Sequence, residues 1–157
     1  MPTTCTDSSL TTITQASPTL AVGMAVYLSA SLTYTPAIAT SLAASQVVGF
    51  IVAPAGPDMW ILQSSGYNIG AITVDDAGNP LNPGTVYYLT TNIFKPGMIS
   101  STNPAAPNTW SKPLYISEQI TGLMTVNAGY ILNQRPIDFA GIVAYDQAFA
   151  MALLFGR

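Results

Sequence analysis

Twelve prolines and twelve glycines are spread through 157 residues, and they cut the chain at short intervals from Pro18 and Gly23 to Pro136 and Gly141. Each interior proline removes a helix hydrogen bond, and each interior glycine costs a helix about 1 kcal/mol. Long helices therefore have nowhere to form. Between the breaks lie short runs rich in Val, Ile, Tyr and Thr, side chains that suit a pleated surface. The expectation is an all-β chain.

The runs that read as strands are Ala25–Ser29, Val47–Ala53, Met59–Ser64, Ala71–Val74, Thr85–Thr90, Leu114–Ser117, Leu123–Val126 and Gly129–Leu132. Strands of four to seven residues bounded by turn residues are the pattern of small sandwiches and barrels. Pro54-Ala55-Gly56-Pro57-Asp58 and Asp75-Asp76-Ala77-Gly78-Asn79-Pro80 read as tight turns, because Asp, Asn and Gly accept turn dihedrals. Residues 1–19, mostly Thr, Ser and other small polar side chains, read as an extended N-terminal arm. The C-terminal 133–157 holds Gln147–Phe155, whose small and large side chains alternate as in a strand although they also favour a helix.

A repeat underlies the middle of the chain. Leu20-Ala-Val-Gly-Met-Ala-Val-Tyr-Leu28 aligns with Leu81-Asn-Pro-Gly-Thr-Val-Tyr-Tyr-Leu89, with Leu, Gly, Tyr and Leu matching 61 residues apart. A second echo places Gly66-Tyr67-Asn68-Ile69 against Gly129-Tyr130-Ile131-Leu132, and Met59–Gln63 against Leu123–Val126. Either a duplication or the convergence of two hairpin modules accounts for this. The reading is two tandem barrel- or sandwich-like modules, 20–80 and 81–132. Each is too small to bury a core alone.

Charge is scarce. Only 7% of residues are charged, with none between Asp7 and Asp58 and none between Glu118 and Arg135, against roughly 25% in an ordinary domain. The four cations Lys95, Lys112, Arg135 and Arg157 are scattered and the net charge is −3, which argues against nucleic acid as a partner. The longest apolar run, Ala148–Phe155, is far shorter than the roughly 20 residues of a membrane helix. So apolar and uncharged a surface predicts self-assembly, in which neighbouring copies cover what one copy leaves bare.

Residues 81–132 carry a series: Leu81-Asn-Pro-Gly-Thr-Val-Tyr-Tyr-Leu-Thr90, Pro96-Gly97-Met98-Ile99, Pro104–Pro107, Lys112-Pro113-Leu114-Tyr115-Ile116 and Val126-Asn127. This resembles a module of tailed-bacteriophage virion proteins, found in tail fibres and in capsid decoration proteins. The earlier half, with Leu20–Leu28 and Val47-Val-Gly-Phe-Ile-Val52, resembles the small β-barrel of phage capsid cement proteins. The resemblance spans about residues 18–132 and leaves the arm and the C-terminal segment unmatched. It implies a structural virion protein, made in the host cytoplasm, that sits on the capsid surface. As a homotrimer it would bind the major capsid protein and bridge its subunits. A tail fibre, adaptor or receptor-binding component is the alternative.

No catalytic, cofactor-binding or metal-binding residue is expected. Histidine is absent, which removes every His-dependent triad and the commonest metal ligand. Asp75, Asp76 and Asn79 lack the following Glu of a calcium loop. Asp58 and Glu118 are the pair a glycosidase reading would have to use, yet both fall in turn regions of the two halves. Cys5 has no base or cation close in sequence to activate it. Trp60, Trp110 and the eight tyrosines read as core or interface side chains before sugar platforms.

Overall fold

The computed structural model describes residues 9–16, 19–119, 127–132 and 137–138. It is built from strands: β1 (Leu10–Thr14), β2 (Ala25–Leu28), β3 (Tyr34–Pro36), β4 (Val47–Gly56), β5 (Met59–Gln63), β6 (Gly66–Ile69), β7 (Val86–Leu89), β8 (Ile99–Ser100), β9 (Trp110–Ser111), β10 (Pro113–Gln119), β11 (Asn127–Ile131) and β12 (Ile137–Asp138). A 3-10 turn at Ala43–Ser45 precedes β4. Two five-stranded antiparallel sheets hold ten of the strands, ordered β1-β5-β4-β2-β3 and β6-β11-β10-β7-β8, while β9 pairs with β12. The chain is all-β in two tandem modules.

The two sheet orders are the same order. Counting the strands of each sheet along the chain, both read first-fifth-fourth-second-third. The matched nonapeptides account for the likeness. Leu20 and Leu81 are both buried. Met24 N–H donates to Ala21 C=O and Thr85 N–H to Asn82 C=O, closing the same turn in each half. Its third residue is Gly23 (φ +94°) in one and Gly84 (φ +78°) in the other, a dihedral that a side chain resists. Both glycine N–H groups then donate across to the fourth strand of their sheet, to Ile51 and Ser117. Both sheets share one bulge, opposite Val26/Tyr27 in the first and Tyr87/Tyr88 in the second, and the first has two further register shifts between β4 and β5.

The strand pairing corrects part of the sequence alignment. Gly66–Ile69 and Gly129–Ile131 are not counterparts but partners, with Tyr67 opposite Tyr130 and Gly66 opposite Ile131. The counterpart of β6 is β1, and the counterpart of β5 is β11. Of the N-terminal arm, the described Leu10–Thr14 stretch is a strand that lies along β5, with Ile13 opposite Trp60. Three of its five residues are β-branched threonines, which favours a strand. Ala71–Val74 is not a strand; Val74 makes a lone bridge to Pro80. Gly70 there turns at φ +86°, and Ala71 N–H is taken by the Asn68 side chain. Leu123–Val126 and Gln147–Phe155 lie outside the described residues.

The first sheet curls until its edges meet. Gln15, just past β1, donates from Nε2 to Tyr34 C=O and accepts Tyr34 N–H at Oε1, both at 2.8 Å. One side chain thus stands in for a ladder between β1 and β3. Inside lie Ile13, Leu20, Val26, Ile51 and Leu62, with Tyr34, Val48 and Trp60 packed against them. The opposite face of this sheet carries Ala25, Val47 and Phe50. These join Tyr87, Leu89, Leu114, Tyr115 and Ile131 of the second half in one buried cluster, bridged by Ile72, Leu81 and Ile99. Neither half completes its core without the other.

Candidate functional site

Two carboxylates that could carry chemistry, Asp75 and Asp76, are held in structural bonds. Asp75 is buried, and its Oδ1 accepts the N–H groups of Ala77 and Asn79 at 3.0 and 2.8 Å. Asp76 Oδ2 accepts the hydroxyl of buried Thr90 at 2.6 Å. That is the predicted tight turn, pinned to the second sheet. Among the described residues, no three His, Cys, Asp or Glu side chains gather as a metal site would need. Asp58 sits at the tip of the β4–β5 hairpin with φ +57°, while Glu118 lies on β10 of the other sheet. Cys5, Arg135 and Arg157 lie outside the described residues.

The aromatic side chains divide by role. Tyr87 and Tyr115 are buried core, and Trp60 donates from Nε1 to Gln15 C=O at 3.2 Å, bracing the barrel closure. Trp110 is half-buried on β9 and donates its backbone N–H to Ala39 C=O. Tyr67 and Tyr130 differ: they meet edge to face, ring centroids 5.0 Å apart, and stand 40% and 47% exposed.

Two buried groups titrate away from their ordinary values. Burial pushes the Lys112 ammonium down to about 8. Burial, reinforced by nearby Tyr67 and Glu118, pushes the Tyr115 phenol up to about 12. Among the described residues the Tyr115 hydroxyl has no hydrogen-bond partner, and its ring lies over Gly129, where a Cβ would overlap it. A polar group held this way is a packing compromise. A shallow cleft beside Val22, Ile72 and Met98 encloses about 60 Å³.

Large apolar side chains stand exposed at three places among the described residues. The β7–β8 connection presents Ile93 at 67% and Phe94 at 83% exposure, beside exposed Lys95. This loop is braced. Phe94 N–H donates to Asn92 Oδ1 at 3.0 Å, Asn92 N–H to Thr90 Oγ1 at 3.0 Å, and Thr90 itself holds Asp76. The second exposed apolar surface is the outer face of the second sheet, where Tyr67, Tyr130 and Ile69 are exposed and Val86, Tyr88 and Ile116 are half-buried. A third apolar point is Leu32, 76% exposed at the β2–β3 turn with φ +60°. None of the three was singled out from sequence; the signal for Ile93 and Phe94 was two large apolar residues inside a turn-rich stretch. For Tyr67 and Tyr130 it was the echo itself, which marks partner strands. Comparison with family models, curated proteins and solved structures returns no match to this chain.

Proposed function

We propose that this chain is a structural virion protein, a capsid decoration protein that binds the outer surface of a phage head and bridges major capsid subunits. It acts without catalysis or cofactor. The observation that carries the reading is the rigid apolar loop tip of Ile93 and Phe94 on a chain with almost no charge. An exposed aromatic held in place by its own turn loses little entropy on docking, which is how interface anchors gain affinity. On a shell the same contact recurs at every equivalent site. An oligomer that engages several subunits together gains avidity from contacts that are weak singly.

Negative-stain images of virions labelled at this protein test the location. Label across the head supports decoration; label confined to the tail tip supports a tail component. Shells stripped and re-decorated with Phe94→Ala protein test the anchor, and occupancy should fall at least about tenfold at equal concentration. Undiminished occupancy would remove the loop from the contact.

A further inference from the structure

The repeat makes the two sheets comparable position by position. From the register, Ala25, Phe50 and Gln63 in the first sheet occupy the places of Val86, Ile116 and Tyr130 in the second. The first three are sealed: Ala25 and Phe50 are fully buried and Gln63 is 5% exposed, because the second half lies against them. The second three are half-buried or exposed, with Tyr67 and Ile69 open beside them. Among the described residues, the centre of this face is covered in the first half and open in the second, while at its edge Leu10, which stands where Tyr67 does, is 45% exposed.

The covering contact also has a bare counterpart. Inside the chain, the β7–β8 connection reaches the first half beside Ala25: Gly97 C=O accepts Ala25 N–H at 2.8 Å, and Gly97 N–H donates to Ala37 C=O at 2.7 Å. Its counterpart in the first half is the β2–β3 connection, which carries Leu32 at its tip. Leucine at φ +60° is strained where glycine or asparagine would sit freely. Ser29 and Thr33 hold that turn closed, through Leu32 N–H to Ser29 C=O and Ser29 N–H to Thr33 C=O. The Leu32 side chain stands 76% exposed at the tip of that tight turn.

We infer that the outer face of the second sheet, around Tyr67, Ile116 and Tyr130, receives the β2–β3 turn of a second copy of this chain. The contact between copies would then repeat the contact between halves. It is head-to-tail, so successive copies build a ring wherever the rotation closes. The inference rests on the assembly reading in the proposed function and names the surface that assembly uses.

Sedimentation velocity at micromolar concentration tests it with Leu32→Gly and Tyr130→Ser proteins. The wild type should sediment as an oligomer. Each variant alone should dissociate, with at least about a tenfold weaker association. Leu32→Gly relieves the turn, so at a dilution where both proteins are dissociated its thermal midpoint should equal or exceed that of the wild type, and dissociation cannot then be laid to unfolding. Tyr130→Phe, which keeps the ring, should assemble as the wild type does. Leu32→Gly retains the receiving face and Tyr130→Ser retains the inserted turn. Mixed in equal amounts they should therefore form one-to-one complexes that grow no further. Variants that assemble like the wild type would overturn this interface and leave assembly itself intact. Variants that dissociate but fail to pair on mixing would overturn its head-to-tail form. A wild-type protein that stays monomeric would overturn the inference as a whole, while label on virion heads would still judge decoration separately.

Discussion

The first half of the chain is finished and the second is not. Both use one strand order, one turn and one shared bulge, yet the central row of the outer face is sealed in the first sheet and open in the second. Phe50 has no exposed surface, whereas its counterpart Ile116 is half-buried. The two faces differ because something lies against only one of them. A duplicated module arranged end to end always leaves one such face over, and repeat proteins must cap it or pass it to a neighbour. Here it carries tyrosines and isoleucines, with Glu118 at its border. A polar cap would be built otherwise.

The sharpest way to break this comparison is to truncate both counterparts. Phe50→Ala should cost about 3–5 kcal/mol in denaturant unfolding, since the cavity opens inside a shared core. Ile116→Ala in the dissociated protein should cost under about 1.5 kcal/mol, as a partly solvated side chain loses less burial. Equal costs would mean the two faces are equally covered.

A smaller effect sharpens the barrel. Gln15→Ala removes two hydrogen bonds that close β1 onto β3, and should cost about 1–2 kcal/mol. It should also speed amide exchange at Tyr34, which loses its acceptor. Unchanged exchange there would show that the sheet stays closed without Gln15.

The smallest effect is in pH. Between about 8 and the ordinary lysine value of 10.5, the unfolded chain holds a proton on Lys112 that the folded chain has released. Stability therefore rises with pH across that window. Between the ordinary tyrosine value of 10.0 and about 12, the folded chain keeps the Tyr115 proton that the unfolded chain loses, and stability falls. Melting curves should peak near pH 10, by about 1–2 kcal/mol over pH 7. The alkaline fall should vanish in Tyr115→Phe, and a flat profile would contradict both burials.

The sequence discloses this fold unevenly. Strands with β-branched or aromatic runs, such as Val47–Ala53 and Thr85–Thr90, are legible because local preference and final structure agree. The structure trims Thr85–Thr90 to Val86–Leu89 and carries the first run on through Pro54 to Gly56. The turn at Asp75–Pro80 is legible for the same reason. Gly66–Ile69 is not, since Gly66 and Asn68 are poor strand formers and the strand exists because Tyr67 meets Tyr130. Ala71–Val74 misleads in the opposite direction: its composition suits a strand, but Gly70 and the Asn68 side chain turn the backbone away. The arm at Leu10–Thr14 reads as polar, while its threonines are committed to β5. Tertiary pairing decides each of these cases. The docking surfaces were the least legible, because Leu32, Phe94 and Tyr130 look like core residues until the fold turns them outward.

The central claim is that copies of this chain cover each other's open faces. Hydroxyl-radical footprinting, run on dissociated and then on assembled protein, reads this directly from side-chain oxidation. Tyr67, Tyr130 and Leu32 should all lose reactivity together on assembly, while Phe94 on its free loop stays as reactive as before. Undiminished oxidation of the two tyrosines in the assembled protein would contradict the account.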